Sequence, residues 1–249
     1  MKPLEVVGVT KSFGALTVSK DIHLSLEEGA RHAIIGPNGA GKTTFVNLVS
    51  GVLRPSKGVI RLAGRDVTRV SPEKRVGYGL VRTFQISSLF PKLTVAQHVG
   101  LALSARGGLD ARPWGDLRSR PEIMAEAAEL LESVGLLPYA GAQVASLAYG
   151  VRRLIELAIA LALKPKVLLL DEPAAGLPSG DRAVLLQLLL RMPRSVAVLV
   201  IEHDMSLVFG FAERISVLVE GAVLTEGSPA EVRSDVRVRN VYLGSRAHA

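Results

Sequence analysis

The stretch Gly36-Pro37-Asn38-Gly39-Ala40-Gly41-Lys42-Thr43-Thr44 fits the phosphate-binding pattern G-x-x-x-x-G-K-[ST] in full. Its glycines let the backbone curl so that several N–H groups point inward, and a helix N-terminus behind them adds partial positive charge. Lys42 would reach the β- and γ-phosphates of a polyphosphate, and the Thr43 hydroxyl would bind Mg²⁺. A glycine-rich turn with a chance lysine is the alternative, but the strand before the loop and the helix after it favour a nucleotide site.

A second group of chemically capable residues ends the apolar run Val167-Leu168-Leu169-Leu170. Such a run predicts a buried parallel strand, and ligands of open α/β sheets bind at the carboxyl ends of their strands. Asp171 is placed to hold Mg²⁺, directly or through water, and Glu172 to orient or deprotonate an attacking water. A strand that simply ends in an acidic turn is the alternative, and the complete glycine loop upstream disfavours it.

Three further side chains could take part, although each also has a structural explanation. His203 follows the predicted strand Val196–Ile201 on the side of Asp171 and could donate to a phosphate oxygen, but a lone histidine is more often structural. Gln85 lies in the turn-rich residues 71–93, where a solvated glutamine is the ordinary case. Phe13, in the loop between the first two predicted strands, could stack on a purine or cover a sheet edge.

The elements around these residues predict an α/β fold. The run Arg31–Ile35 predicts a buried strand before the glycine loop, and Thr43–Ser50 predicts a helix that Gly51 ends. Alternating polar and apolar residues predict an antiparallel sheet beside the nucleotide site. Its predicted strands are Leu4–Val9, Ile22–Leu26 and Gly58–Ala63. Near the C-terminus, Ile215–Val219 and Val223–Thr225 predict a hairpin, and Ser228 caps a last helix.

A helical segment interrupts this pattern. A capping box at Thr94 and Gln97 starts a helix that runs to about Ala105, and Pro121 starts another that Gly135 ends. We therefore expect a single domain over residues 1–249, with a core of residues 1–89 and 150–249 and a helical subdomain of about 90–149.

Composition limits the class of protein. A chain of 249 residues with 48% hydrophobic content can bury one sizeable core, and the absence of cysteine excludes disulfides and cysteine-ligated metals. Mean hydropathy is +0.32, yet no run approaches the roughly 18 apolar residues of a spanning helix. Residues 1–10 lack the long apolar region of a signal peptide, which favours a cytoplasmic location.

The basic charge has two explanations. The formal net charge is +7, and the basic residues occur in scattered pairs, such as Lys74-Arg75 and Arg152-Arg153, without aromatic neighbours. Nucleic-acid-binding surfaces usually cluster such residues, so we expect no nucleic-acid partner. A surface near anionic lipid headgroups accounts for the charge at least as well.

Several separated motifs in one order give the chain its family resemblance. It resembles the ATP-binding subunit of ABC transporters over essentially its whole length, on the glycine loop, Gln85, the signature segment Leu147-Ala148-Tyr149-Gly150, Asp171-Glu172 and His203. It is most similar to the branched-chain amino acid importer group. The stretches that carry this similarity, besides the signature segment, are Arg82-Thr83-Phe84-Gln85, Asp171-Glu172-Pro173-Ala174-Ala175-Gly176-Leu177, Ile201-Glu202-His203-Asp204-Met205 and Val241-Tyr242-Leu243-Gly244.

The resemblance implies a role for each candidate residue. Phe13 falls where the family places an aromatic ring on adenine, and Gln85 where a glutamine senses the γ-phosphate and Mg²⁺. His203 matches the residue that contacts the γ-phosphate, while Asp171-Glu172 match the Mg²⁺ carboxylate and the catalytic base. Ala174–Leu177, here called the dimer loop, matches the segment that crosses the dimer interface.

The signature segment departs from the common L-S-G-G-Q. Ala148 replaces the serine that contacts the γ-phosphate from the opposite subunit, Tyr149 replaces the first glycine, and Val151 replaces the glutamine. The first two substitutions are similar to the importer group, whereas Val151 departs even from that group. Backbone N–H groups at the Gly150 turn can still contact nucleotide in the opposite subunit.

The resemblance also implies the fold, cofactors and partners. The fold would be that of a P-loop NTPase with an ABC-type antiparallel β subdomain and an inserted helical subdomain, and the cofactors would be ATP and Mg²⁺. The chain would form a homodimer, or a heterodimer with a second ATP-binding subunit, on two integral membrane permease subunits at the cytoplasmic face of the membrane. An extracytoplasmic solute-binding protein would be an indirect partner. A non-transport ABC ATPase, or a weakly active partner of a second ATPase subunit, is the alternative.

Overall fold

The computed structural model describes residues 1–83, 89–108 and 120–244. Within them the chain forms two sheets. The strands are β1 Leu4–Phe13, β2 Leu16–Leu26, β3 Arg31–Ile35, β4 Lys57–Leu62, β5 Arg65–Asp66, β6 Leu80–Arg82, β7 Val167–Asp171, β8 Ala197–Ile201, β9 Arg214–Val219 and β10 Ala222–Gly227.

The larger sheet has the strand order β10-β9-β3-β8-β7-β6, and all neighbours are parallel except the β9–β10 hairpin. Its register pairs Ile201 with both Asp171 and Ile34. Because parallel strands end at the same edge of a sheet, the residues that follow β3, β7 and β8 emerge side by side. That edge carries the glycine loop, Glu172 and His203.

The strands of the larger sheet are buried on both faces, as their apolar runs predict. Along β7, Leu168 and Leu170 join one hydrophobic cluster, whereas Val167 and Leu169 join the other. The first cluster contains residues of the helices from position 95 onward, and the second contains residues of the helix after the glycine loop and of the antiparallel sheet. This alternation follows from the two-residue period of a strand.

The smaller sheet is antiparallel, in the order β2-β1-β4-β5, which confirms the predicted antiparallel subdomain. Strands β1 and β2 are longer than the alternation indicates. In particular, β1 extends to Phe13, which pairs with Leu16 across a tight turn. Phe13 was predicted in a loop, and that placement is wrong, because the hairpin continues pairing almost to its tip.

The helices mostly follow the predicted boundaries. They are α1 Lys42–Ser50, α2 Pro72–Gly77, α3 Val95–Arg106, α4 Pro121–Ser133, α5 Tyr149–Ala162, α6 Ser179–Arg191, α7 Met205–Phe211, α8 Pro229–Ser234 and α9 Val236–Gly244. Single 3₁₀ turns lie at Leu137–Tyr139 and Val144–Ser146. The capping box at Thr94 is present, and Gly51 ends α1 in a left-handed conformation. None of the helices described is long and apolar enough to cross a membrane.

Two parts of the helical prediction are wrong. The predicted turn-rich region contains α2 and β6, and the helix capped by Ser228 is followed by another, α9. Helix α2 is fixed by Arg75, whose buried guanidinium donates to the carbonyls of Leu48, Val49 and Val67. Leu48 and Val49 lie 27 and 26 positions away in the sequence, so local periodicity gives no sign of these contacts.

The helical segment shares its core with the larger sheet. Val99 of α3 and Leu131 of α4 belong to the same buried cluster as Leu168 and Val198. The division into a core of residues 1–89 and 150–249 and a helical subdomain of about 90–149 therefore stays a prediction.

Candidate active site

The glycine loop is tightly packed where the chain leaves β3. Gly39 and Gly41 have φ angles of 79° and 95°, a left-handed region that favours glycine. A Cβ atom on Gly41 would lie 2.9 Å from the carbonyl oxygen of Val18, and one on Gly36 would lie 2.2 Å from that of Leu218. Strands β2 and β9 thus hold the loop, and side chains at Gly36 and Gly41 would displace it.

Lys42 lies across the mouth of this loop. Its Nζ donates to the carbonyl oxygens of Gly36, at 2.7 Å, and Pro37, at 2.9 Å. Burial lowers the pKa of the ammonium group, and the charges of Glu172 and Asp171 oppose that shift. The structure therefore brings the lysine of the glycine loop close to both predicted carboxylates.

The remaining loop residues line the start of α1. Asn38 and Thr43 are exposed, Ala40 is buried, and Thr44 is half-buried. No side chain caps α1 and no acidic residue occupies its first turn. Its N-terminal N–H groups and partial positive charge are thus directed at an anion, as phosphate binding requires.

Asp171, at the end of β7, is 5% exposed and pairs with Arg82. Arg82 Nη2 lies 2.8 Å from Asp171 Oδ2, and Nη1 donates to Asn47 Oδ1 at 2.8 Å and to Ser50 Oγ at 3.2 Å. This guanidinium connects β6, β7 and α1. Because Arg82 binds Oδ2, the other carboxylate oxygen of Asp171, Oδ1, is the one that could bind a metal ion.

Glu172 and His203 meet at the carboxyl edge of the sheet. Glu172 has a φ of 48°, and its backbone N–H donates to Ile201 at 2.9 Å. A left-handed non-glycine residue costs about 1–2 kcal/mol, and such strain clusters at functional sites. His203 Nδ1 lies 3.9 Å from Glu172 Oε1 and 3.8 Å from Glu202 Oε2. The predicted base and the predicted γ-phosphate ligand are therefore neighbours.

The signature segment forms the N-terminus of α5. Ala148 is its N-cap residue and supplies no capping hydrogen bond. The Tyr149 hydroxyl donates to the carbonyl of Ala175 in the dimer loop of the same chain, at 3.3 Å. A Cβ atom on Gly150 would lie 2.2 Å from Asp181 Oδ2, so a side chain at this position would require Asp181 to move. The first-turn N–H groups of α5 lack a cap side chain, as expected if an anion from elsewhere binds them.

For two predicted ligands of the nucleotide, Phe13 and Gln85, the contacts stay predictions. Phe13 is 48% exposed, and Lys11 Nζ lies 4.9 Å from the centre of its ring. Its hairpin reaches the glycine loop through Val18, and its contact with adenine stays a prediction. Gln85 lies outside the described residues, so its predicted contacts with the γ-phosphate and Mg²⁺ also stay predictions.

The donors at this edge fit Mg²⁺ bound together with a nucleotide. Mg²⁺ in such sites takes one or two protein oxygens, several waters and the phosphates of the substrate. The Thr43 hydroxyl and the Asp171 carboxylate supply oxygens of the right kind. Across the part of the chain that is described, no group of three or more His, Cys, Asp or Glu could hold a metal without the nucleotide.

Sequence reasoning gave no role to three residues that the structure places at the site. Arg82 pairs with Asp171, and Glu202 contacts the loops around His203 and Ala174. Tyr242 of α9 is half-buried, and this burial raises the pKa of its phenol to about 12, while a hydrogen bond from the Gly36 backbone opposes that shift. All three lay in stretches quoted for the family resemblance, and a charged residue next to a buried strand was the available signal for the first two.

The fold and the order of these motifs indicate a class of protein. Comparison of the chain with known protein families and structures identifies that class. The family described as ABC transporter matches residues 19–175. A nucleotide-free ATP-binding cassette from an ABC transporter, known from its crystal structure, aligns with a TM-score of 0.84 and 26% identity, covering 97% of this chain and 99% of that chain. A dimeric post-hydrolysis state of the cassette MJ0796, bound to ADP and Pi, aligns with a TM-score of 0.74 and 26% identity, covering 90% and 98%. The chain is an ATP-binding cassette with ABC-type, transport-coupled ATPase activity.

Proteins with similar sequences show to which family within this class the chain belongs. The high-affinity branched-chain amino acid transport ATP-binding protein BraF of Pseudomonas aeruginosa is 41% identical over 249 residues, covering 97% of each chain. The protein of the same description from Salmonella typhimurium, LivG, is 39% identical with equal coverage. The family described as branched-chain amino acid ATP-binding cassette transporter matches residues 222–248. The chain belongs to the branched-chain amino acid family of ABC transporter ATP-binding subunits, which confirms the resemblance predicted from its motifs.

Proposed function

We propose that this ATPase energises the import of branched-chain amino acids across the cytoplasmic membrane. The observation that carries the proposal is the full-length similarity to BraF, 41% identical, whose name states that transport. The site agrees with it, because the glycine loop, two carboxylates and a histidine converge at one edge of the sheet. ATP binding and hydrolysis belong to the class, and the amino acid substrate is the proposed part.

In this proposal the nucleotide binds with its β- and γ-phosphates in the glycine loop, where Lys42 exchanges its loop carbonyls for phosphate oxygens. Thr43 and Asp171 hold Mg²⁺, which when bound neutralises charge on the phosphates. Glu172 orients the attacking water and accepts its proton, while His203 donates a hydrogen bond to the γ-phosphate. Water attacks phosphorus, the bond to the β-phosphate oxygen breaks, and ADP and inorganic phosphate leave.

A second ATP-binding subunit completes each site. The N-terminus of α5, uncapped by a side chain at Ala148, faces the nucleotide of the opposite subunit in this proposal. The cassette MJ0796, which is similar to this chain, forms a dimer in its post-hydrolysis state. The partner here is a second copy or a different ATP-binding subunit. Two permease subunits and an extracytoplasmic solute-binding protein complete the importer, and the ATPase binds the cytoplasmic face of the membrane.

Uptake measured in the host organism tests the proposal. Replacing the chromosomal gene by one encoding Lys42→Ala should abolish energised uptake of labelled leucine, isoleucine and valine, because the variant loses its ammonium contact with the phosphates. Lys74→Ala, at an exposed lysine of α2, is the matched control and should transport normally. Normal leucine uptake in cells that carry only the Lys42→Ala protein would contradict the proposed substrate.

A further inference from the structure

We propose that Glu202 is a positioning residue for ATP hydrolysis, which fixes His203 and the dimer loop relative to each other. The proposal rests on the roles given above to His203 and Glu172. Glu202 follows β8 directly, and its side chain is fully buried, with 0% exposure. Sequence motifs explain its neighbour His203, but they leave this buried carboxylate without a role.

Both carboxylate oxygens of Glu202 accept hydrogen bonds from backbone N–H groups. Oε1 accepts from Ala174, at 2.8 Å, in the dimer loop. Oε2 accepts from His203 at 2.8 Å and from Asp204 at 3.0 Å. We call residues 202–204 the switch loop. One side chain therefore joins the dimer loop to the switch loop from within the protein.

The buried carboxylate of Glu202 connects the two loops through hydrogen bonds from their backbone N–H groups. Carboxylates are rarely buried without a cation unless hydrogen bonds replace the lost water, and bonds to an ionised acceptor are stronger than neutral ones. His203 Nδ1, at 3.8 Å from Oε2, is the nearest side-chain partner of opposite potential charge. The N–H groups of the two loops thus solvate the Glu202 carboxylate, and a movement of either loop changes its environment.

Other contacts surround the same two loops. Arg182 donates to the carbonyl of Leu177, at 2.8 Å, and to Asp204 Oδ2, at 2.6 Å. Tyr149 donates to Ala175 from the signature segment. The dimer loop is thus connected to the switch loop twice, once on the surface through Arg182 and once in the interior through Glu202. Of these two connectors, Glu202 is the one that also binds the backbone of His203.

In this proposal, the Glu202 contact couples formation of the dimer to ATP hydrolysis. The dimer loop crosses to the second subunit in the proposed dimer, and His203 and Glu172 contact the reacting phosphate and water. A shift of Ala174 on dimer closure would reach His203 through a single buried side chain. Misplacing a catalytic group by about 1 Å can lower a rate about 10²-fold, so a connector of this kind affects turnover without touching nucleotide.

Steady-state kinetics of the purified protein with Mg²⁺ and ATP test the proposal. Glu202→Gln keeps the size of the side chain but offers one acceptor oxygen, so its amide must face an N–H group of one loop. We expect kcat to fall about 10- to 100-fold, while KM and the affinity for fluorescent ATP change less than about 2-fold. Glu126→Gln, which removes a half-buried carboxylate that pairs with Arg106 and Lys164 in the helical segment, is the control and should keep its kcat.

A double-mutant cycle with His203→Gln separates positioning from general stability. If Glu202 acts through His203, adding Glu202→Gln to His203→Gln should lower kcat by less than about 2-fold more. Independent, multiplicative losses, or a wild-type kcat in Glu202→Gln, would overturn the proposal. If Glu202→Gln does not fold, Glu202→Asp enters the same cycle, and failure of both to fold would assign Glu202 a purely structural role. Absence of hydrolysis in the wild type would instead contradict the proposed function.

Discussion

At the scale of single residues, Arg82 is the side chain that pairs with the carboxylate of the predicted Mg²⁺ site. It pairs with Asp171, and the two side chains are 14% and 5% exposed. Removing one partner of a buried pair leaves an uncompensated charge, which is far more destabilising than the pair itself is stabilising. Arg82 therefore supplies the charge opposite to the buried Asp171 carboxylate before any metal binds.

We predict that Arg82→Gln lowers the free energy of unfolding by about 3 kcal/mol, measured by urea denaturation. Adding Mg²⁺ and ATP should recover part of this loss, because a cation at Asp171 replaces the missing charge. Arg194→Gln, in an exposed pair with Glu213, is the control and should cost less than about 1 kcal/mol. A variant as stable as the wild type would show that the ion pair does not maintain Asp171.

At the scale of elements, a buried polar network joins three strands of the larger sheet. His32 of β3 contacts Ser216 Oγ of β9 at 2.8 Å, and Ser216 donates to Glu226 of β10 at 2.7 Å. Burial lowers the pKa of His32 to about 4, while the charge of Glu226 opposes that shift and Arg214 supports it. The network aligns the β9–β10 hairpin, whose Leu218 carbonyl packs on the glycine loop.

This network predicts acid sensitivity. An unfolded histidine titrates near pH 6.5, so between about pH 6.5 and 4 the unfolded chain binds a proton that folded His32 does not bind. Stability should therefore fall as pH decreases through this window, by up to about 2 kcal/mol at pH 5 from His32 alone. Urea midpoints at pH 7 and pH 5 should differ less in His32→Gln than in the wild type. His23→Gln, at an exposed histidine, should leave the difference unchanged.

The periodicity of apolar residues predicts those elements that pack through the face of a strand or through one side of a helix. Strands β3, β7 and β8 and the capping box of α3 were predicted close to their observed bounds. The element α2 was missed because buried Arg75, a polar residue inside the core, gives no apolar periodicity. Strand β6 is only three residues long, and its pairing with β7 depends on a strand far along the chain.

At the scale of the whole molecule, motif order predicted the family and a candidate site, because the glycine loop, Glu172 and His203 each follow a strand of one parallel sheet. The connections between motifs were not predictable. Arg82 and Asp171 are 89 positions apart in the chain, and Glu202 and Ala174 are 28 apart. Such pairs are determined by strand order and register, which the sequence does not state locally. The residues that connect the motifs can be identified only in the three-dimensional structure.

The turnover of Glu172→Gln tests the central claim most directly, namely that this edge of the sheet hydrolyses ATP with Glu172 as the base. Positioned general-base catalysis typically contributes about 10²- to 10⁴-fold in rate. We predict that the rate of phosphate release, measured with ATP and Mg²⁺, falls by that factor in Glu172→Gln. The affinity for fluorescent ATP should be retained, because Glu172 acts on the attacking water and not on the bound phosphates. Glu73→Gln, at a glutamate in α2, is the matched control. A wild-type rate of phosphate release in Glu172→Gln would contradict this account.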